Sequence, residues 1–438
     1  MSKSGFIPVA EFKLSTQSKL VILTSVLASL LEIVDSSIVN VAIPTMMGNL
    51  GATLDEISWV VTGYIIANAI VLPIAGWLGD QIGRRVYYIG CILLFTAASV
   101  ACGMAPNLNT LVFFRILQGF AGGALLPTSQ ALLQEQFPRE HAGMASAIYG
   151  MSVMIGPTLG PTLGGYLTDH FGWRSIFYIN LPLGLLAATL AFIHVKDTHT
   201  EADGTKRVRT PVDLTGLFLL AAGIGCLQFV LERGQAEDWF SSWAIRISSV
   251  VAAFSIPAFI RYELKIKHPV IDLRLFKIGV VRSGTLLMAG LGAQLYTLVF
   301  ILPIFVATML NFDATQTGML FIPGALLTAL TMPLVANQMK KRDPRLLVGF
   351  GMIMIELLVL MMSHLNALSS EYDIFVPLLV RGVGMAFLFV PINAVVLGEF
   401  SGPALGQVAG LLNLSRQIGG SIGIAALSTL LEHVVHFA

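Results

Sequence analysis

The stretch LVILTSVLASLLEIVDSSIVNVAI, residues 20–43, decides the fold class of this chain. At about 1.5 Å per helical residue, it is long enough to cross the roughly 30 Å hydrocarbon core of a bilayer. Glu32 and Asp35 are its only charged residues, and a spacing of three places them on one face of a helix. The stretch therefore predicts a membrane-spanning helix that carries two carboxyl groups on one side.

The composition of the whole chain leads to the same fold class. Hydrophobic residues make up 55% of the 438 residues and charged residues 12%, whereas soluble domains contain about 25% charged residues. So little polar surface requires lipid to cover the rest. The net charge of +1, without a separate basic face or tail, argues against a nucleic-acid partner. We therefore predict an all-α integral membrane protein.

Thirteen apolar stretches approach or exceed the length of a membrane-spanning helix, and no loop between them would hold a folded domain. They cover residues 20–43, 57–78, 86–104, 108–133, 142–167, 176–195, 214–231, 244–260, 279–310, 318–336, 346–365, 374–397 and 408–431.

Lysine and arginine residues are distributed unevenly between the two sides of these stretches. With the N-terminus inside, the inner segments hold nineteen of the 26 basic residues, and the outer segments hold only Arg174 and Arg233. Basic residues are retained on the cytoplasmic side of a membrane. We therefore predict a multi-pass protein of the cell inner membrane with a cytoplasmic N-terminus.

An internal repeat predicts two related halves. Gly143 and Gly156 recur as Gly406 and Gly419, at a constant offset of 263 residues. Parallel repeats of this kind form many secondary transporters, with the substrate site between the halves at mid-membrane. The predicted organisation is an N-terminal six-helix bundle (1–200), a two-helix insert (201–270) and a C-terminal bundle with five helices (271–438).

Helix lengths place Asp35 and Arg115 at similar depths, roughly 20 Å from the cytoplasmic surface, so that the two side chains are expected to meet. An ionisable group at this depth is costly unless it is paired or hydrated, and it usually faces a pathway. Apolar surroundings and a second carboxylate favour a protonated carboxyl group, whereas an arginine favours an ionised one. Asp35 is thus a candidate proton carrier, and a static ion pair between spans 1 and 4 is the alternative.

Two glycine-rich segments have both a functional and a plainer interpretation. GWLGDQIGRR (residues 76–85) places an acid beside two bases in a tight turn, and composition alone also fits an ordinary basic cytoplasmic loop. GPTLGPTLGG (residues 156–165) lies inside span 5, where prolines bend a helix and glycines permit close approach. Ordinary helix packing is the alternative for this second segment.

Three charged residues lie at mid-depth in the second half, namely Glu356, Arg381 and Arg416. Buried charges often pair, so Glu356 is predicted to form an ion pair with Arg381 or Arg416. Span 11 is peripheral in the expected repeat, which favours a structural role for Glu356.

At these residues the chain resembles the fourteen-span drug/proton antiporters of the major facilitator superfamily, of the EmrB and QacA type. The segments LERGQAEDWF (231–240) and PVIDLRLFK (269–277) are most similar to EmrB-like members. The family signatures occur in order: LEIVDSSIVNVAIP with Asp35 and Asn40, the hairpin with Gly76, Asp80, Gly83, Arg84 and Arg85, RILQG with Arg115 and Gln118, and the GPxxGG element in span 5.

This resemblance implies the major facilitator fold and proton-driven export of lipophilic, often cationic compounds, with no cofactor and no metal. Our hypothesis is that Asp35 carries the proton, that Glu32 assists in substrate or proton binding, and that Arg115 tunes Asp35. The residues expected to line the substrate cavity are Glu32, Asn40, Gln118, Asn393 and Asn413. Those expected to gate the conformational change are Gly76, Asp80, Gly83, Arg84 and Arg85 in the hairpin, with Gly156, Pro157, Gly160, Pro161, Gly164 and Gly165 in span 5.

The resemblance also implies that Asp80 docks on a helix start near Gln407. Partners are expected to be lipophilic substrates, protons, membrane lipids, a periplasmic adaptor and an outer-membrane channel. Two features depart from the family pattern. Gln81 replaces the usual base of the hairpin, and the chain stops at Ala438, so the fourteenth span is expected to be missing.

Other functions remain open at this point. An exporter of one endogenous metabolite or lipid would share every feature above. An intramembrane enzyme would need His, Ser or metal ligands clustered at one depth, and the sequence has no such cluster. A receptor would need no titrating carboxylate.

Overall fold

The structure is a computed structural model. It describes residues 14–196, 213–267, 269–312, 314–366 and 368–437. Thirteen long helices follow the predicted apolar stretches. They are α1 Thr16–Leu50, α2 Leu54–Ile82, α3 Arg84–Gly103, α4 Leu108–Gln134, α5 Ala142–Phe171, α6 Ser175–His194, α7 Leu214–Arg233, α8 Trp243–Glu263, α9 Gly279–Met309, α10 Ala314–Gln338, α11 Pro344–Met362, α12 Glu371–Leu397 and α13 Pro403–Phe437.

Twelve helices within the described residues are long and apolar enough to cross a membrane, and they correspond to α1–α12. Helix α13 is not among them, and it carries Asn413, Arg416 and Gln417 in its middle. The predicted all-α membrane fold is confirmed. The predicted count of thirteen spans is not.

The sequence repeat extends to the tertiary packing. Helices α4 and α12 have the same length, and the offset between them is again 263 residues. In the first half Gly156 of α5 lies against Ile33 of α1, and in the second half Gly419 of α13 lies against Ala289 of α9. The two halves thus repeat one crossing of helices. The predicted domain boundary at residue 200 lies outside the described residues, and the domain limits stay predictions.

The two insert helices, α7 and α8, pack on each other, and α7 also contacts both halves. At the end of α7, Arg233 forms an ion pair with Asp55, and its guanidinium lies 5.6 Å from the ring of Trp59 in α2. On the other side, Ser421 of α13 donates to Glu232 at 2.7 Å. The insert is therefore attached to both halves by polar contacts.

The two halves meet at the end of the bundle where residues 82–84 connect α2 to α3, which we call the hairpin side. A Cβ atom at Gly76 would lie 2.6 Å from the backbone nitrogen of Gln407, so the end of α2 touches the start of α13 directly. At the same end, a Cβ at Gly143 would lie 3.4 Å from Cα of Ala336. The structure therefore has the hairpin side closed. Its assignment to the cytoplasm stays a prediction.

Candidate functional site

Asp35 of α1 is fully buried and accepts hydrogen bonds from three side chains. Its Oδ2 accepts from Nη1 of Arg115 at 2.6 Å, and its Oδ1 accepts from Gln118 at 2.9 Å and from Asn180 at 2.6 Å. Arg115 and Gln118 lie one turn apart on α4, and Asn180 lies on α6. The expected meeting of spans 1 and 4 is thus present, and the carboxylate joins three helices.

Arg115 is also fully buried, and two of its three nitrogens have hydrogen-bond acceptors, whereas Nη2 has none among the described residues. Nε donates to the carbonyl of Val60 at 3.1 Å, and Nη1 donates to Gln118 at 2.8 Å as well as to Asp35. The ring of Tyr64 lies 4.2 Å from Cζ, within cation–π distance. A buried arginine requires such compensation. A proton added to Asp35 would remove the countercharge and leave Arg115 uncompensated.

Glu32 lies one turn before Asp35 and has different partners. Its Oε1 accepts from Nδ2 of Asn68 at 3.0 Å and from the hydroxyl of Tyr64 at 3.3 Å, and both of these residues belong to α2. The two carboxyl groups share a helix face, but Asp35 is bonded to α4 and α6, whereas Glu32 is bonded to α2.

A second polar network crosses the interface between the halves. Gln130 of α4 donates to Asn393 of α12 at 2.7 Å and accepts from Asn413 of α13 at 2.7 Å. The hydroxyl of Tyr149 on α5 donates to Oδ1 of Asn413 at 3.1 Å. These side chains are buried. Because buried hydrogen bonds are costly to break without replacement, the network stabilises this closed arrangement.

The sequence did not point to five residues that bond to Asp35, to Glu32 or across the interface, namely Tyr64, Asn68, Gln130, Tyr149 and Asn180. The available signal was a polar side chain inside an apolar span. That signal says that such a residue needs a partner. It does not say which helix supplies the partner, because the rotation of each helix is set by packing.

The five predicted cavity residues lie in different places in this structure. Gln118 is committed to Asp35 and Arg115, and Asn393 and Asn413 hold the interface network. Asn40 is exposed on α1, beyond Asp35, and Glu32 faces α2. Three of the five amides are thus used in contacts within the protein, and the lining of a substrate cavity by these residues stays a prediction.

Arg84 connects the hairpin to both halves. Its Nη1 lies 2.5 Å from Oε1 of Glu135 at the end of α4, and its Nη2 donates to the carbonyl of Gly402 at 3.4 Å, in the connection before α13. The preceding Gly83 has a φ of 107°, a conformation that strains any other residue. The glycine thus lets the chain turn sharply enough to place Arg84 at the interface.

The other predicted hairpin residues separate into an inner and an outer group. Gly76 lies against Gln407 in the interface, and Asp80, one turn further along α2, is half-buried. Arg85 points away and donates to the carbonyl of Phe192 on α6 at 2.5 Å, with its Cζ 4.9 Å from the phenyl ring. Arg85 therefore joins helices of the first half and takes no part in the contact between halves.

Glycines of α5 permit its close approach to α1. A Cβ at Gly160 would overlap Ser37, and one at Gly164 would lie 2.8 Å from the carbonyl of Ile38. A Cβ at Gly165 would be 3.9 Å from its nearest neighbour, an ordinary contact, so that position needs no glycine for space.

Pro157 and Pro161 lie inside α5, and the helix continues through both of them from Ala142 to Phe171. Their proposed part in a hinge stays a prediction. The packing on α1 at Gly160 and Gly164 is the feature that the structure supports directly.

The predicted ion pair of Glu356 is wrong. Within the described residues Glu356 is exposed and forms no ion pair with Arg381 or Arg416. Helix α11 packs on α12 through Leu347, Gly351 and Leu358, and Glu356 lies away from that face. Arg381 instead donates to the carbonyl of Leu295 at 3.4 Å, and Arg416 donates to Asn413 at 3.0 Å.

Comparison with known protein families identifies the fold family. The model of the Major Facilitator Superfamily matches residues 25–424. The chain belongs to the major facilitator superfamily. Within this superfamily it is 35% identical over 411 residues to the fatty acid resistance protein FarB of Neisseria gonorrhoeae, covering 93% of this chain and 79% of that protein. It is 34% identical over 418 residues to the multidrug export protein EmrB of Escherichia coli (strain K12), covering 94% of this chain and 80% of that protein.

Solved structures of the major facilitator superfamily have the same fold. The human organic anion transporter MFSD10 superposes with a TM-score of 0.65 at 18% identity, covering 94% of this chain and 93% of that chain. The proton:xylose symporter XylE superposes with a TM-score of 0.65 at 14% identity, covering 96% and 90%. At these identities the likeness concerns the fold alone.

The family assignment confirms the resemblance to EmrB-like efflux proteins. The superfamily consists of multi-pass membrane transporters and not of enzymes. In a major facilitator protein the two repeats enclose the transport pathway. The Asp35 cluster, Glu32 and the network around Asn413 therefore lie in and between the parts of the molecule that such proteins move.

Proposed function

We propose that the chain exports lipophilic small molecules across the cell inner membrane in exchange for protons. Its relatives include the multidrug export protein EmrB and the probable multidrug resistance protein EmrY of Escherichia coli, the latter 33% identical over 410 residues. Another relative carries a name for fatty acid resistance. Efflux of several hydrophobic compounds accounts for these names together.

The observation that carries the proposal is the buried cluster of Asp35 with Arg115, Gln118 and Asn180. A carboxylate in the middle of a membrane bundle is retained for proton or ion movement more often than for packing. In the closed arrangement both oxygens of Asp35 are occupied, so a proton enters only when α1 moves relative to α4 and α6. Protonation and conformational change are thereby linked.

Alternating access follows from the contacts between the halves. Opening of the hairpin side requires α2 to leave α13 at Gly76 and Gln407, and it breaks the bond from Arg84 to Gly402. The network of Gln130, Asn393 and Asn413 opens in the same movement. Protonated Asp35 releases Arg115, and the freed positive charge favours a different arrangement of α1 and α4. Glu32 assists this step from the adjacent turn.

The remaining parts of the proposal concern location and partners. The distribution of basic residues supports a cytoplasmic location of the hairpin side and the N-terminus. The proton gradient supplies the energy, and no cofactor takes part. The proposed export route includes a periplasmic adaptor and an outer-membrane channel as partners.

The test uses the purified full-length chain and follows proton release with a pH-sensitive dye when lipophilic compounds are added. Substrate binding is expected to release protons from the wild-type protein and none from the Asp35→Asn variant. Glu356→Gln is the matched control, since it also removes a carboxyl group from a helix of the bundle, and it should release protons as the wild type does. Proton release by Asp35→Asn at the wild-type level would refute the assignment of Asp35.

A further inference from the structure

Tyr64 of α2 joins the surroundings of the two carboxyl groups of α1. It is 2% exposed, and its hydroxyl donates to Oε1 of Glu32 at 3.3 Å. Its ring lies 4.2 Å from Cζ of Arg115, which is the ion-pair partner of Asp35. Among the described residues, Tyr64 is the only side chain that both hydrogen-bonds to Glu32 and contacts the Arg115 guanidinium. One side chain thus connects the two carboxyl sites.

Two glycines of α4 allow Tyr64 to take this position. A Cβ atom at Gly119 would lie 2.4 Å from the carbonyl oxygen of Tyr64, and one at Gly122 would lie 2.9 Å from its hydroxyl. Gly119 lies one turn after Arg115 on the same helix. Because these positions lack side chains, α2 approaches α4 closely enough to set the ring against the guanidinium.

Protonation of Asp35 changes which helix holds Arg115. A carboxylate that takes up a proton becomes a neutral acid, and its hydrogen bond to a guanidinium is then weaker. Nε of Arg115 still donates to the carbonyl of Val60, and the ring of Tyr64 still lies over the guanidinium. A further bond stays within α4. The main attachment of Arg115 therefore passes from α1 to α2, the helix that closes the hairpin side at Gly76.

The contact between the ring and the guanidinium is stronger in the protonated state. The face of an aromatic ring is negative, so it attracts a cation and repels an anion. An ion pair of Asp35 and Arg115 therefore gains less from the ring than a guanidinium beside a neutral acid does. Ionised Glu32 adds to this difference, because a phenol that donates to a carboxylate is polarised and its ring becomes more negative. Glu32 thus favours proton binding at Asp35 by way of Tyr64.

The other ionisable side chains around the two carboxyl groups are Cys102 of α3, Tyr149 of α5 and Arg416 of α13. Cys102 hydrogen-bonds to Gln118, whereas Tyr149 and Arg416 both donate to Asn413. In the part of the chain that the structure describes, none of the three hydrogen-bonds to either carboxyl group. They therefore provide no bonded path from one carboxyl group to the other.

We propose that Tyr64 is a positioning residue for proton coupling, which joins Glu32 and Asp35 into one proton-binding unit through its hydroxyl and through its ring on Arg115. The proposal rests on the proposed function and names the residue by which Glu32 takes part in it. A change of charge at Glu32, caused by a proton or by a bound cation, then alters proton binding at Asp35.

The test follows the carboxyl C=O infrared band of protonated Asp35 in the purified full-length chain, identified by its loss in Asp35→Asn. Tyr64→Phe keeps the ring and removes only the hydroxyl. It is expected to lower the pH at which half of Asp35 is protonated by about half a unit or more, because Glu32 no longer polarises the ring. Tyr64→Leu also removes the ring and should lower this midpoint further. An unchanged midpoint in Tyr64→Phe, shown to be folded by thermal unfolding, would overturn the proposal.

A variant at Glu32 tests whether its effect passes through Tyr64. In the Glu32→Gln background, Tyr64→Phe should cause less than half of the shift that it causes in the wild type, since no charge remains to polarise the phenol. Shifts that simply add in the double variant would contradict the proposal.

Two matched variants exclude a general effect on the bundle. Asn68→Leu removes another donor to the same oxygen of Glu32 and leaves the ring on Arg115 in place, so it should not lower the Asp35 midpoint. Tyr88→Phe removes a buried hydroxyl that bonds to a serine of α4 in the same half, and it should leave the midpoint unchanged. A shift in either variant as large as that in Tyr64→Phe would assign the effect to loosened packing and refute the special part of Tyr64.

The outcome separates this proposal from the proposed function. If lipophilic compounds release protons from the chain but Tyr64→Phe keeps the wild-type Asp35 midpoint, the chain remains a proton-coupled exporter and only the part of Tyr64 is wrong. If Asp35→Asn loses no infrared band at any pH, Asp35 is not the proton carrier, and the proposed function fails together with this proposal.

Discussion

Gln130 and Asn393 are equivalent positions of the two repeats, and their side chains hydrogen-bond to each other at 2.7 Å. The 263 residues between them equal the offset of the repeated glycines and of helices α4 and α12. A contact between equivalent positions lies on or near the axis that relates the halves, as in an isologous dimer. The bond therefore marks the place where the two halves pivot or part.

This bond should couple the two residues energetically. Gln130→Leu or Asn393→Leu alone leaves a buried amide unsatisfied and is expected to cost about 1–3 kcal/mol, seen as a lower thermal unfolding midpoint. The double variant should cost less than the sum of the single variants, since neither amide remains. Asn49→Leu, at an exposed amide on α1, is the control and should change little. Simple additivity in the double variant would argue against a direct contact.

Substitutions at Asp35 and Arg115 can separate the contribution of this ion pair to protein stability from its contribution to proton-coupled transport. Removal of one partner leaves a buried charge, so Asp35→Asn and Arg115→Gln are each expected to destabilise the protein by roughly 3–5 kcal/mol. The double variant Asp35→Asn/Arg115→Gln should recover much of that stability in thermal unfolding.

Transport should not recover with stability in this double variant, because no group remains to carry the proton. Transport by the double variant is measured as proton-driven uptake of substrate into inverted vesicles. If the double variant transports like the wild type, the pair is a static link between α1 and α4, and the proton site lies elsewhere.

The approach of α5 to α1 depends on particular glycines. Gly160→Ala is expected to destabilise the protein and reduce transport, because the added methyl group overlaps Ser37. Gly165→Ala, five residues further along the same helix, meets only an ordinary contact and should be tolerated. Adding Ser37→Gly to the Gly160→Ala variant should restore part of the lost stability and transport, because it removes the side chain that the new methyl group overlaps. Equal effects of the two alanine substitutions on the melting midpoint would show that packing on α1 is not the reason for the glycine.

Glu356 is expected to be dispensable. It is exposed on α11 without an ion pair in the described structure, so Glu356→Gln should leave both the unfolding midpoint and transport near wild-type values. Glu32→Gln, assayed in parallel, should reduce transport, because Glu32 is a buried carboxyl group one turn from Asp35 and bonds α1 to α2. Loss of transport in Glu356→Gln would indicate a partner that appears in another conformation.

Much of the fold followed from hydrophobic length and from the repeat. Each predicted stretch became a helix, because a bilayer requires apolar segments whose backbone groups are bonded internally. The meeting of Asp35 with Arg115 was also predictable, since helix rise fixes depth and a buried charge requires its opposite. The same argument failed for Glu356, because depth alone does not say whether a side chain faces inward.

The sequence by itself determined that this chain is a helical membrane protein with two related halves and a costly carboxylate in its first helix. Only the tertiary structure decided that Asn180 completes the bonds to Asp35 and that Gln130 meets Asn393 and Asn413. The physical reason is that spacing along a helix sets the height of a side chain in the membrane. The direction in which the side chain points is set by the rotation of the helix, which depends on packing against all of its neighbours.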